Sequence, residues 1–144
     1  MLRETFLALL AFVTACSSSR IPETRALAGG GDEPEISRVI EEALLADGRG
    51  QAADTLYAPH VTIVADGRLR RAPPRFAGVA DQGELAITST QVQSRGGTGW
   101  GDVEYRWVSD RSSRFQLGRA SFVLTQAQGR RGWWIVQAHS STVR

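Results

Sequence analysis

The 144-residue sequence contains no lysine, a single cysteine and only two histidines. One cysteine excludes an intramolecular disulfide. With two histidines it also makes a poor tetrahedral set for zinc; no other metal-ligand cluster or cofactor motif occurs, so neither metal nor cofactor is expected. All 17 basic residues are arginine, and 15 interleaved acids leave a net charge of only +2. That balance excludes a general attraction to nucleic acid. The one local basic cluster, Arg68, Arg70, Arg71 and Arg75, reads as a solvated strand face. No serine sits in a nucleophile-elbow pattern, and Gly96-Gly97-Thr98-Gly99 lacks the following helix that a phosphate-binding loop needs. Apolar runs long enough to cross a bilayer are missing as well. What remains, 42% hydrophobic and 22% charged, is an ordinary globular composition, sufficient for one domain and too short for two.

The lone cysteine is informative through its position. Arg3 precedes an apolar run from Phe6 to Ala15, broken only by Thr14. That run is too short for a hydrocarbon core of about 30 Å but matches the apolar region of a secretory signal. It ends in Val13-Thr14-Ala15-Cys16, which resembles the lipobox of bacterial lipoproteins, where small residues precede the cysteine that accepts diacylglycerol. The expectation is a signal peptide over residues 1–15 and a lipidated Cys16. Buried methylenes contribute about 0.8 kcal/mol each, so acyl chains would anchor the protein without a spanning helix. Ser17 to Gly31 carries three serines, Pro22 and three consecutive glycines, and reads as a flexible tether reaching on the order of 20 Å. The tether segment is placed at 16–32 and the folded domain at 33–144. Ser17 lacks the aspartate that marks inner-membrane retention in enterobacteria, which favours the periplasmic face of the outer membrane in a Gram-negative cell envelope.

Helical periodicity begins at Glu33-Pro34 and puts Ile36, Val39, Ile40, Ala43 and Leu44 on one face, with Gly48 as the stop. Ala52/Leu56 and Ala53/Tyr57 pair at helical spacing, predicting a second short helix from Gln51 to Tyr57 that Pro59 ends. The period then changes. Val61, Ile63 and Ala65 alternate, Asp66-Gly67 is a hairpin signal, and Arg68 to Ala72 is the return strand. Arg75 to Gly83 is either a third short helix or an irregular loop. Four β-type runs follow, Glu84–Ser94, Trp100–Ser109, Arg114–Gln126 and Trp133–Val143. The fold class is therefore α+β, with two or three N-terminal helices on a strongly curved, mainly antiparallel sheet of about six strands.

The step Leu56-Tyr57-Ala58-Pro59-His60-Val61, the strand Gly118-Arg119-Ala120-Ser121-Phe122-Val123-Leu124 and the ending Gly132-Trp133-Trp134-Ile135-Val136-Gln137-Ala138-His139-Ser140-Ser141 resemble the SnoaL-like (DUF4440-type) branch of the nuclear-transport-factor-2-like, or NTF2-like, superfamily. The resemblance implies a cone with an apolar pocket and a homodimer through the outer face of the sheet. Long strands that are apolar or aromatic on both faces point to the same second covering surface.

Such a cone hosts enzymes, ligand-binding modules and assembly domains, so function must come from its residues. On the fourth strand Trp100, Asp102, Glu104, Arg106 and Val108 share a face. Arg106 falls where the related association domain of a multifunctional kinase carries a pocket-facing arginine. An inward face would make Asp102, Glu104 and Arg106 a charged floor for a polar or anionic ligand; an outward one would leave Val103, Tyr105 and Trp107 to fill the cone. His139 is read on a face with Trp133, Ile135, Gln137 and Ser141, either as a general base or as a structural residue. His60 begins a strand and is expected to be partly exposed, while Tyr57 is placed to point into the cone. Three functions remain open: a small-molecule or partner-binding module, an acid–base enzyme using Asp102, Glu104 or His139 with Arg106 or Tyr57 as orienting groups, and an assembly domain with its pocket filled by aromatics.

Overall fold

The computed structural model describes residues 31–112, 114–127 and 132–143. The signal segment, Cys16 and nearly all of the tether lie outside the described residues. Helix α1 spans Glu33–Gly48, with Pro34 in its first turn and acids at Glu33 and Glu35 where the helix dipole favours them. A 3₁₀ turn at Asp54–Leu56 leads into β1, Tyr57–Ala65, then β2, Arg68–Leu69. The long strands are β3, Gly83–Arg95, β4, Thr98–Ser109, β5, Phe115–Gln126, and β6, Trp133–Val143.

Together they form one six-stranded mixed sheet in the order β2-β1-β6-β5-β4-β3. Only β1 and β6 pair in parallel. Among the described residues α1 is the one α-helix, which corrects the expectation of two or three. The predicted second helix fails for local reasons. Pro59 pushes Ala58 toward extended backbone, Tyr57 already pairs with Ile135 of β6, and only one tight turn fits before that strand. The predicted third helix, over Arg75 to Gly83, is an irregular loop, and the return strand shortens to two residues.

Helix α1 lays Ile36, Val39, Ile40 and Leu44 against Val103, Phe122, Leu124 and Ile135 of the sheet. Close approach requires a bare backbone beneath it: a Cβ on Gly101 would sit 2.3 Å from the Cδ1 of Ile40. The rest of the inner surface is filled by the loop between β2 and β3. Phe76, 2% exposed, meets Phe122 with ring centroids 5.5 Å apart. The Tyr105 hydroxyl donates to the Ala77 carbonyl at 2.6 Å, and the Ala77 N–H donates to Ser140 Oγ at 2.9 Å. The interior of the cone is thus packed core, with the loop as its plug.

Candidate functional site

An open cleft borders β1. Between Tyr57↔Ile135 and Thr62↔Gln137, β1 advances five residues while β6 advances two, so β1 bulges away from its neighbour. Pro59 lies in that bulge and has no N–H to give to a ladder. The bulge, the 3₁₀ turn and the chain leaving β2 enclose a cleft of about 760 Å³, walled by Asp54, residues 57–63, Leu69, Arg70, Arg71 and Arg75.

Arg75 lines this cleft, and it is 5% exposed. Its guanidinium lies 4.8 Å from the Tyr57 ring centroid and pairs with the Asp54 carboxylate, whose own side chain is largely open to solvent. The backbone that carries Arg75 is held from the other side. Asp47, at the end of α1 and 1% exposed, accepts the Arg75 N–H on both oxygens at 2.8 Å and the Phe76 N–H at 3.0 Å. Burial pushes the Asp47 carboxyl above its ordinary range, against the pull of those N–H groups and of the Arg75 and Arg70 charges. Asp47 is therefore a clamp with its acceptors engaged, not a group facing the cleft.

Two further donors border the same cleft. The Tyr57 hydroxyl and the Arg70 Nε are buried and have no hydrogen-bond partner among the described residues. Burial raises the Tyr57 pKa well beyond the ordinary phenol value, with Arg75 opposing, so the hydroxyl keeps its proton and remains a donor. Arg70 is fixed by its own N–H, which donates to the Ile63 carbonyl at 2.8 Å. Buried donors without acceptors cost free energy, and here two belong to residues that line one cleft with a buried cation. The arrangement suits a group that is anionic and rich in acceptors.

Of the residues singled out in the sequence, Tyr57 lies in this cleft, and His60 lines it as an exposed neighbour. The others lie elsewhere. Val103, Tyr105 and Trp107 face the core, so Asp102, Glu104 and Arg106 point outward. Asp102 accepts from Ser121 Oγ at 2.7 Å, and Glu104 pairs with Arg119, in a shallow depression of about 330 Å³ on the outer face. Arg106 is exposed between Ala86 and Leu117 and lines neither of these two hollows. His139 also faces outward, beside Ser121. It does not share a face with Trp133 and Ile135, because pairing steps from Leu124↔Ile135 to Val123↔Gln137 and the extra residue, Val136, reverses the alternation. The basic cluster is corrected too: Arg75 is buried rather than solvated. Asp47, Asp54 and Arg75 escaped the sequence reading as functional residues. The available signal was one arginine between Pro73-Pro74 and Phe76, within an otherwise apolar segment.

Solved structures place this architecture. A candidate dehydratase of the NTF2-like family from Streptomyces avermitilis superposes with a TM-score of 0.63 at 17% identity, over 78% of this chain and 96% of that one. The fold is NTF2-like. An NTF2-like protein with a cystatin-like fold from Novosphingobium aromaticivorans gives 0.59 at 16% identity, covering 76% of this chain and 80% of that one. The CaMKII hub of S. rosetta gives 0.58 at 20% identity, covering 79% and 98%. No family model matches the chain, and no curated protein matches it in sequence. The NTF2-like domain of this chain therefore takes its functional reading from its own cleft.

Proposed function

We propose that this protein is a non-catalytic binding module whose NTF2-like domain holds a small anion in the cleft beside β1. The observation that carries the reading is a cleft lined by the buried Arg75 together with Tyr57 and Arg70, whose hydroxyl and Nε have no hydrogen-bond partner among the described residues. Acid–base catalysis through Asp102, Glu104 or His139 draws no support, because all three lie on the outer face. Similar folds carry names as different as candidate dehydratase and kinase hub, so the fold does not choose between them.

The same proposal places the domain in the SnoaL-like branch, on the strength of the Leu56–Val61 step and the last two strands. It anchors the domain by a lipidated Cys16 to the cell envelope, at the periplasmic face of the outer membrane in a Gram-negative host. The apolar run ending at Val13-Thr14-Ala15-Cys16 supports that anchor. Native mass spectrometry of the full chain tests the binding function. The expected result is a small bound mass that Tyr57→Phe and Arg70→Gln lose. A spectrum without ligand, together with no thermal shift across a panel of organic and inorganic anions, overturns it.

A further inference from the structure

We propose that the cleft takes a monocarboxylate with an apolar body, an aryl or short acyl acid, whose carboxylate exchanges with Asp54 for Arg75. This rests on the anion-binding reading above and names its ligand class.

The anionic end is defined by the donors available. Tyr57 hydroxyl, Arg70 Nε and the Arg75 guanidinium form a small set of side-chain donors. A phosphate group is commonly cradled by successive backbone N–H groups, and the two successive N–H groups at Arg75 are already engaged. The Arg75 and Phe76 N–H groups both donate to Asp47. A carboxylate, with two oxygens, matches a guanidinium fork and a hydroxyl. The chain supplies its own example, since the Asp54 carboxylate already meets Arg75. Asp54 is mostly exposed and Arg75 is not, so an incoming carboxylate approaches the cation from the side that Asp54 now covers. A second negative charge on the ligand would face Asp54, which selects a monoanion.

The rest of the cleft describes the rest of the ligand. At about 760 Å³ it is far larger than a carboxylate group and lies within the range of small-molecule sites. Its apolar lining includes Pro59, Val61, Ile63 and Leu69, a wall broken by His60 and Thr62. Leu69 is 58% exposed, a large apolar side chain left open beside the arginines. An apolar body laid on that wall removes Leu69 from water while its carboxylate satisfies the buried donors.

Calorimetric titration of the full chain with 3-phenylpropanoate, acetate, inorganic phosphate and uncharged 3-phenylpropanol tests the proposal. The expected order places 3-phenylpropanoate at least about tenfold tighter than each of the others; against acetate that is less than two fully buried methylenes would give at roughly fourfold each. Asp54→Asn tightens 3-phenylpropanoate about threefold or more, and Leu69→Ser weakens it severalfold. Phosphate binding as tightly, with loss in Arg70→Gln, overturns the ligand class and leaves the anion reading intact. Equal binding of 3-phenylpropanol overturns the carboxylate, and weaker binding in Asp54→Asn overturns the exchange. No binding of any probe overturns the anion reading as well.

Discussion

Replacing Tyr57 by phenylalanine removes one oxygen and leaves the ring. Tyr57 is 8% exposed, and its hydroxyl has no partner among the described residues. A hydroxyl buried without a hydrogen bond costs on the order of 1–3 kcal/mol. The ring contact with the Arg75 guanidinium at 4.8 Å survives the change, because phenylalanine presents a similar π face. Tyr57→Phe is therefore expected to stabilise the unliganded protein by about 1 kcal/mol, or roughly 4 °C in melting temperature for a domain of this size. The same change deletes a hydrogen bond to a bound anion. Hydrogen bonds to charged groups contribute about 1.5–3 kcal/mol, so binding should weaken by about tenfold or more. Thermal unfolding and anion titration of one variant read both effects. A gain in stability with a loss of binding is the signature of a residue kept for its ligand. Destabilisation by more than about 1 kcal/mol would instead mean that the hydroxyl serves the fold, and unchanged anion affinity would remove Tyr57 from the site.

Asp47→Asn sets an amide NH₂ against the Arg75 and Phe76 N–H groups and should cost about 2 kcal/mol by denaturant titration at neutral pH. Because burial raises the Asp47 pKa above its ordinary 3.8, its contribution to stability falls as pH rises from there through the folded value. The variant should lack that slope, and an unchanged slope would mean that the slope does not come from the buried Asp47 carboxyl. Arg106→Ala should change stability by less than about 0.5 kcal/mol, since Arg106 is exposed on the outer face, and a larger loss would place it in a network. Cys16→Ser should leave the domain folded and move the protein out of the membrane fraction; unchanged partition removes the lipid anchor. The outer face leaves Phe115, Leu117 and Val143 exposed at one corner. A homodimer through that face predicts two-fold mass in sedimentation at tens of micromolar, abolished by Leu117→Glu, and a wild-type monomer refutes it.

Where periodicity and turn chemistry were strong, the sequence was legible. Helix α1 runs from Glu33 to Gly48 as its apolar spacing and terminal glycine require, and Asp66-Gly67 makes the tight turn between β1 and β2. The four long strands fall within a few residues of their β-type runs. The second helix was lost to tertiary structure, because Tyr57 is drawn into pairing with Ile135. The orientation of His139 was lost to a single extra residue in β6, which alternation alone cannot reveal. The site was the least legible part. Tyr57 was within reach, but Arg75 becomes a site residue only when a loop without regular periodicity folds back onto α1 through Asp47. That contact joins residues 28 positions apart, and nothing in either local sequence announces it.

Arg75 and Phe76 are neighbours with opposite duties, one lining the cleft and one filling the core. Phe76 is driven into the interior by its apolar area, against Phe122, and so joins the packed core. That insertion leaves the side chain of Arg75 on the other side of the chain, against the Tyr57 ring. A buried guanidinium is tolerable only with compensation, and three sources converge on it: the Asp54 carboxylate, the π face of Tyr57, and the Asp47 charge behind its backbone. Of these only Asp54 is exposed and able to leave without disturbing the core. An incoming carboxylate thus meets a cation whose position the fold has already fixed, and little ordering cost remains to oppose binding. The plug that closes the cone is the same element that pre-organises the cleft.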